Sequence, residues 1–514
     1  LLADILRKAP GVVLLVTSQE RLNLGEEWVY TVRGLAYPGK GEKPTDDYSA
    51  MELFAQKARR AAYDFDATTE AEGIARICQL VEGVPLAIEL AAAWVHAQRC
   101  EEIAAAIARN LDVLVSTLTN VPERHRSIRA AFAHSWKRLS PAEQTLFRRL
   151  AIFRGGFQPE AAEHIAESRS EDLATSISKS LLQRDAAGRY QLHELLRQYA
   201  AEHLAAAGEE GPIQERHGIY YTGWAGAREE RLQSREQKEA LAEIAAEIEN
   251  ARAAWQWAVA EGREAEIGAA LAGLDLFYEQ QSWYHEGYAA FAQAATALQA
   301  RGQGGRVLHQ ALARQARFAQ RLGQNEPARE LLVRCRDFFR AAGDDREEAL
   351  ALNLLAEVYI DSGSYAEIAA LLQRALALCE AQGDIYCQVL TVVNLGDVLS
   401  LQGDFNAARS CCLRALTLSR EVGAPLRIAS ALSNLGRTAA MMGDYEEAGE
   451  LFREGLAIYR EIGNRRGIAG CLNNLGSLAY LTGDYAQARQ LRQETLAICQ
   501  EIGFRWGVAN TLKS

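Results

Sequence analysis

Little in this sequence points to a metal centre, a disulfide framework or a membrane span. Its nine cysteines, at 78, 100, 335, 379, 387, 411, 412, 471 and 499, are odd in number and include no C-x-x-C pair. That argues against a zinc or disulfide scaffold and for buried thiols in a reducing compartment, the cytoplasm. The longest apolar run, around Leu86 to Val95, is broken by Glu89 and falls short of the roughly 20 residues that cross a bilayer, so no membrane partner is expected. Only 10 prolines, beside 49% apolar and 24% charged residues, occur in 514 positions, which excludes long disordered tails. Nor is there an excess of positive charge. Fifty-six basic against 67 acidic side chains leave a net charge of −11, which disfavours a polyanion as main partner. What abounds is helix formers, over a length that argues for roughly three or four domains.

Internal repetition is the strongest signal. Glycine recurs at 323, 363, 403, 443 and 483, and again at 343, 383, 423, 463 and 503, both series with a period of forty. Between them one phrase returns: Asn394-Leu395-Gly396, Asn434-Leu435-Gly436 and Asn474-Leu475-Gly476, then Gly403-Asp404-Phe405, Gly443-Asp444-Tyr445 and Gly483-Asp484-Tyr485. Each unit holds two apolar helical patterns, and each glycine falls where a helix needs a left-handed C-terminal residue. The unit is therefore a helical hairpin. Asp444 with Glu447, Asp484 with Gln487, and Ser364 with Glu367 have N-cap to N3 spacing, which starts the second helix straight after the turn. Small residues at Gly396, Gly436 and Gly476, and at Ala408, Ala448 and Ala488, let paired helices approach closely.

These residues resemble the tetratricopeptide repeat, lengthened by about six residues over its usual 34, across 304–514. The resemblance implies a right-handed superhelix with a concave face. On that face it places Asn394, Asn434 and Asn474, with Asp397, Arg437 and Ser477 as the neighbouring variable slots. An amide can bond a bound peptide's backbone as donor and acceptor, so the expected partner is a peptide or protein. The same asparagines could instead bridge neighbouring helices. Cys379 and Cys499 share a slot that holds Ser419 and Tyr459 in other repeats, and read as core packing rather than as sites.

At the other end, Gly11-Val12-Val13-Leu14-Leu15-Val16 reads as a buried parallel strand. The next residues, Thr17, Ser18 and Gln19, would then face a crevice at the strand's carboxyl end. Downstream, Glu82-Gly83-Val84-Pro85-Leu86 joins two amphipathic helices. Leu-Leu-Val-Thr-Ser-x-Glu-Arg-Leu at 14–22, Gly-Glu-Glu-Trp at 25–28 and Gly-Val-Pro-Leu-Ala-Ile-Glu-Leu-Ala-Ala at 83–92 resemble the NB-ARC branch of STAND signalling NTPases. The resemblance covers 1 to about 207. It implies that Thr17 and Ser18 belong to a γ-phosphate sensor and that Pro85 packs on adenine. The family's sensor arginine is replaced by Gln19, which lacks a charged fork. Arg21, two residues on, returns to the same face of an extended chain. No Walker A loop or acidic Mg²⁺ ligand occurs in these residues, so they read as part of something longer. Gly34 to Gly41 mimics G-x-x-x-x-G-K but lacks the Ser/Thr that holds Mg²⁺, and is expected to be a linker.

Residues 127–207 read as helix, helix, short helix, hairpin and helix. Ser140-Pro141-Ala142-Glu143 makes a helix start, and Asp185-Ala186-Ala187-Gly188 makes the turn of a β-wing. The order resembles a winged helix. The expected recognition helix, Glu171 to Ser180, carries Glu171 and Asp172 against one Lys179, so DNA contact through it is disfavoured. In the NB-ARC family a Met-His-Asp motif at the end of the wing meets ADP. Here Leu192-His193-Glu194 stands there, and His193 is either that ligand or a helix cap. Trp224, Trp255, Trp257, Trp283 and Tyr284 lie on aperiodic helices that read as degenerate hairpins with an aromatic core.

The expectation is a mainly α chain: the end of an α/β P-loop NTPase domain (1–43), a helical lid (44–118), a winged helix (119–207), a helical connector (208–303) and an α-solenoid (304–514). The resemblance implies the sensor part of an ADP-locked signalling switch, a bacterial regulator. It would use ADP or ATP with Mg²⁺ in the full-length protein, and self-associate on activation. Without Walker A and B these residues alone are not expected to hydrolyse ATP. The alternatives are a nucleotide-independent scaffold or the regulatory part of a transcriptional activator.

Overall fold

The computed structural model describes residues 4, 5, 8, 9, 11–16, 25, 27, 28, 30, 32, 34–39, 41–45, 47–115, 127–360 and 363–513. The chain divides into two units, Leu1–Tyr220 and Tyr221–Ser514. Both are helical. The only sheet among the described residues is a hairpin in which Gln183–Arg184 pairs antiparallel with Tyr190–Gln191.

In the first unit the helices Ser49–Ala61, Ala71–Leu80, Pro85–Ala92 and Cys100–Arg109 bury Phe54, Ile77, Ile88 and Ile103 in one core. That core also takes in Ile128, Leu195 and Tyr199, so segments read from sequence as lid and winged helix share it. Helix Pro141–Leu150 opens on a capping box: Ser140 N–H donates to Glu143 Oε2 at 2.8 Å and Glu143 N–H to Ser140 Oγ at 3.4 Å. The hairpin turns at Gly188, φ +85°. One expectation fails. Gly11–Val16 forms no strand, and Val13 and Leu15 are 93% and 96% exposed. A parallel strand holds only with paired neighbours and covered faces, and no described residue pairs with it.

The second unit is a run of helical hairpins: 264–281 with 284–300, 306–321 with 325–342, 345–359 with 365–382, 385–402 with 405–422, 425–441 with 445–461, and 465–481 with 485–501. All ten glycines of the two periodic series have positive φ, between 68° and 89°, a conformation that other residues adopt at a cost. Asp404, Asp444 and Asp484 accept hydrogen bonds from Ala407, Glu447 and Gln487 N–H. Ser364 makes no such side-chain cap. A Cβ on Gly436 would lie 2.9 Å from the Phe452 ring and 3.2 Å from Ala448 O, which is why the small residues recur in register. Trp255, Trp257 and Tyr284 belong to a single core running from Ala225 to Phe504.

Two features depart from the sequence reading. Cys379 is not a free core thiol: it is disulfide-bonded to Cys387, because the turn at Gly383 folds the next helix back and brings the two Cα atoms to 5.7 Å. The other seven cysteines are free thiols. Helix Ile385–Gln402 also has the length and apolar content of a membrane span. Here Val389, Val392 and Val393 are buried against Cys412, Leu416 and Leu432 of the neighbouring repeat helices.

Candidate functional site

The first helix of each hairpin turns one face inward. Those faces line a cavity of about 970 Å³ bounded by residues from Glu229 to Thr511. The superhelix curls far enough for its early helices to meet later repeats. Gln237 Oε1 accepts from Leu426 N–H at 3.1 Å, Asn464 Nδ2 donates to Gln280 O at 3.2 Å, and Arg466 reaches Glu279 at 3.4 Å.

Asn394, Asp397, Asn434, Arg437 and Asn474 line this cavity, whereas Ser477 is not among its walls. Asn394 Nδ2 donates to Asn353 Oδ1 at 3.2 Å, and Asn353, fully buried, donates in turn to Ala349 O and Thr391 Oγ1. Arg437 pairs with Asp397 and donates to Asn434 Oδ1 at 3.3 Å. Two of the three ladder asparagines thus bond across or along repeats. Asn474 makes no hydrogen bond to another described residue, and Asn473 Oδ1 beside it is buried without a partner. Burial pushes the Asp397 carboxyl up, against the opposing pull of Arg437.

The sequence reading missed the other wall. Arg314, Arg317 and Arg321 are 6%, 8% and 5% exposed. Arg314 forks onto Glu347 (Nη2 to Oε1, 2.9 Å), Arg317 meets Asp275 at 2.7 Å, and Arg321 meets Glu279 at 2.9 Å and Glu357 at 2.5 Å. Burial would raise the Glu279 carboxyl, but Arg321, Arg466 and Arg317 together bring it down to about 2. The signal was present in sequence. Gln310, Arg314, Arg317 and Arg321 form a polar stripe at helical spacing, and Arg314 and Arg317 stand exactly two periods before Asn394 and Asp397.

In the first unit, Thr17, Ser18, Gln19 and Arg21 lie outside the described residues. Pro85 is exposed at the start of its helix. His193 caps helix Glu194–Ala206, its Nδ1 accepting from Leu195 N–H at 3.2 Å. Glu82, in the turn before Pro85 and at φ +47°, reaches the same place. Its Oε1 accepts from Glu194 N–H at 2.9 Å and its Oε2 lies 3.7 Å from His193 Nε2. Gly83 is held tightly, since a Cβ there would fall 2.1 Å from Leu35 O. Burial pulls the His193 pKa down against the opposing effect of Glu82, and Nε2 is buried without a hydrogen bond. The two segments singled out from sequence therefore converge, and a carboxylate sits at the N-terminus of the helix.

Residues 351–386, 388–461 and 427–501 match the tetratricopeptide repeat family. The chain is 31% identical over 302 residues to a protein of Mycobacterium tuberculosis provisionally named an HTH-type transcriptional regulator; the match covers 57% of this chain and 33% of that one. It is 32% identical over 228 residues to an uncharacterized protein of the same organism, covering 42% of this chain and 55% of the other. The chain thus spans about a third of the length of the first of these relatives and about half of the second. Among solved structures, it is 16% identical to a Signal Transduction ATPase with Numerous Domains carrying a tetratricopeptide repeat sensor, from Pyrococcus horikoshii, with a TM-score of 0.33 over 88% of this chain and 72% of that one. It is 14% identical to a Rap protein complexed with Competence and Sporulation Factor, with a TM-score of 0.44 over 56% of this chain and 80% of that one.

Proposed function

We propose that the repeat region is the ligand-binding sensor of a regulatory protein and takes an extended peptide or protein segment into its concave cavity. The observation that carries this reading is the recurrence of Asn394, Asn434 and Asn474 along one wall, one amide per repeat at a period of forty. An extended backbone offers donors and acceptors at regular intervals, which a regular row of amides can meet, whereas a compact small molecule has no use for it. The amide bonds of Asn394 and Asn434 leave each side chain further lone pairs or N–H groups. The test is the triple alanine variant of these asparagines. It is expected to stay folded and to lose affinity for whatever partner a pull-down with the wild type identifies, by on the order of 1 kcal/mol per bond. Unchanged binding by a folded variant would move the surface elsewhere.

Around this sensor we infer a nucleotide-dependent switch. ADP, when bound, supplies an adenine face and a diphosphate anion. Pro85, which is exposed, would meet the first, and His193, at a helix N-terminus, the second. One observation supports the fit: the buried Nε2 of His193 makes no hydrogen bond and faces Glu82 Oε2 at 3.7 Å, and a phosphate would have to displace that carboxylate from Glu194 N–H. A sensor ligand biases such a switch only if it binds the open state more tightly. The mycobacterial relative's name favours transcriptional regulation as the output. Nucleotide content of the purified full-length protein, compared with His193→Ala, tests the switch. Equal ADP occupancy and equal exchange would leave His193 a helix cap.

A further inference from the structure

The disulfide between Cys379 and Cys387 stands alone. The other seven cysteines are free thiols, so the fold does not rest on a disulfide framework. Burial raises the thiols of Cys335 and Cys412 to about 12 and that of Cys471 to about 11, which keeps them protonated and inert. The place where the two sulfurs meet recurs along the stack. The slots of 379 and 387 hold Ser419 and Arg427, then Tyr459 and Gly467, then Cys499 and Gly507. A Cβ on Gly467 would run into the Tyr459 ring, and one on Gly507 would lie 2.7 Å from Cys499 Sγ. The two slots are thus in contact in these repeats as well, but one repeat alone fills both with cysteine. Nor does the turn need the bond. The loop it closes is short, so it removes little chain entropy, and Gly383 at φ +69° with the Asp384 cap on Cys387 N–H, 2.8 Å away, closes it already. The later repeats make the same turn without a disulfide.

We propose that Cys379 and Cys387 form a reversible redox site, reduced by a low-molecular-weight thiol that enters the cavity and attacks Cys387, and that the oxidised state stiffens the wall carrying Asn394. Cys387 is half-buried and lines the cavity, whereas Cys379 is 2% exposed and does not, so of the two sulfurs Cys387 Sγ is the one open to a thiolate. The thiolate sulfur bonds to Cys387 Sγ, the bond to Cys379 breaks, and Cys379 leaves as a thiolate that takes a proton. A second small thiolate attacks the small-molecule sulfur of this mixed disulfide. Cys387 leaves and is protonated in turn, and the two small thiols depart joined as a disulfide. Two electrons and two protons reach the protein, and the reverse exchange with the small disulfide restores the bond.

The pair sits at the root of a polar chain that ends on the cavity wall. Thr391 Oγ1 lies 3.9 Å from Cys379 Sγ, donates to Cys387 O at 2.8 Å and accepts from Asn353 Nδ2 at 2.9 Å. Asn353 Oδ1 in turn accepts from Asn394 Nδ2 at 3.2 Å. Oxidised, the bond ties the first turn of helix Ile385–Gln402 to the last turn of helix Tyr365–Gln382. Reduction frees that turn and puts a hydrogen on Cys379 Sγ, a weak donor beside Thr391 Oγ1. The redox state is therefore read at the amide chain, whatever ligand the cavity takes.

The experiment equilibrates the 514-residue protein in mixtures running from reduced to oxidised glutathione, quenches with acid, and maps its thiols by alkylation and mass spectrometry. Cys379 and Cys387 are expected to pass together from thiol to disulfide across the series, while the other seven cysteines stay thiols. Cys379→Ser should collect glutathione on Cys387, the sulfur left without its partner, and Cys387→Ser should leave Cys379 unmodified. In the wild type, amide exchange across 385–394 should be several-fold slower in the oxidised than in the reduced form, and Cys387→Ser should abolish the difference. Thermal melts matching the reduced wild type establish that the variants fold, and the wild-type titration and exchange stand without them. A pair that remains disulfide in reduced glutathione alone, or thiol in oxidised glutathione alone, would overturn the site. So would glutathione on Cys379 in place of Cys387, or exchange across 385–394 that ignores the redox state. None of these readouts needs a peptide, so the peptide groove and the redox site stand or fall separately.

Discussion

Asn464 donates its side-chain Nδ2–H to the backbone carbonyl of Gln280, 3.2 Å away across 184 residues of chain. The same side chain caps its own helix, Oδ1 accepting from Gly467 N–H at 2.7 Å. One amide therefore starts a repeat helix with its oxygen and ties the superhelix to its own early turn with its nitrogen. Both Asn464 and Gln280 are buried, at 7% and 3% exposure, so neither bond is readily exchanged for water.

Asn464→Asp separates the two roles. The carboxylate keeps the cap acceptor but loses the donor and faces the Gln280 carbonyl with negative charge. A loss of about 1–3 kcal/mol is expected, read in chemical denaturation. Faster amide exchange in helix Glu264–Gln281, which the bond holds against the later repeat, should accompany it. Unchanged exchange there would show that the other closing contacts suffice.

The buried charge network makes a sharper demand. Arg314→Met removes the cation beside Glu347 and Asp275, leaving Glu347, among the described residues, the Gln310 amide at 2.8 Å as its side-chain hydrogen bond and Arg306 as a more distant cation. Stranding a buried carboxylate costs about 3–5 kcal/mol, so the denaturation midpoint should fall markedly. A drop under about 1 kcal/mol would mean that water reaches the network.

Acid should act on the repeat unit through Glu279. Its folded carboxyl titrates at about 2, against an ordinary value of 4.5. The stabilisation is present above pH 4.5 and is lost as pH falls toward 2, because the unfolded chain binds the proton first. Glu279→Gln should flatten the decline in stability through that window. A slope identical to wild type would place the acid sensitivity on other carboxylates.

His193 should act in the same sense on the first unit, at higher pH. Burial holds its folded pKa below 6.5, so the unfolded state takes up the proton first and stability falls as pH drops below 6.5. The facing groups are Glu82, Glu194 and the Val81 backbone. Protonating Nδ1 also removes the cap on Leu195 N–H. His193→Asn keeps a capping oxygen that does not titrate, and should abolish the pH-dependent exchange of the Leu195 amide between pH 7 and pH 5. Persistence of that dependence would assign it to a neighbouring carboxylate.

The local architecture of the repeats was legible in the residues themselves, because each determinant acts within one turn or one hairpin. Glycine alone tolerates the left-handed helix end at 403, 443 and 483, an aspartate restarts the next helix, and a missing side chain at 396, 436 and 476 admits its partner. The same local logic located the Ser140 cap and the turn at Gly188. What pairs with what across the unit was not legible. Asn394 bonding Asn353 and Arg437 turning to Asp397 depend on the rotation between successive hairpins, a small angle that no residue encodes alone and that packing of the whole stack sets. That accumulated rotation returns Gln280 to Asn464. It converts an open groove into a cavity whose wall arginines, Arg314, Arg317 and Arg321 among them, meet carboxylates from neighbouring helices. Gly11–Val16 shows the reverse limit: its apolar pattern states a preference for burial, but a strand exists only where a neighbour supplies its hydrogen bonds.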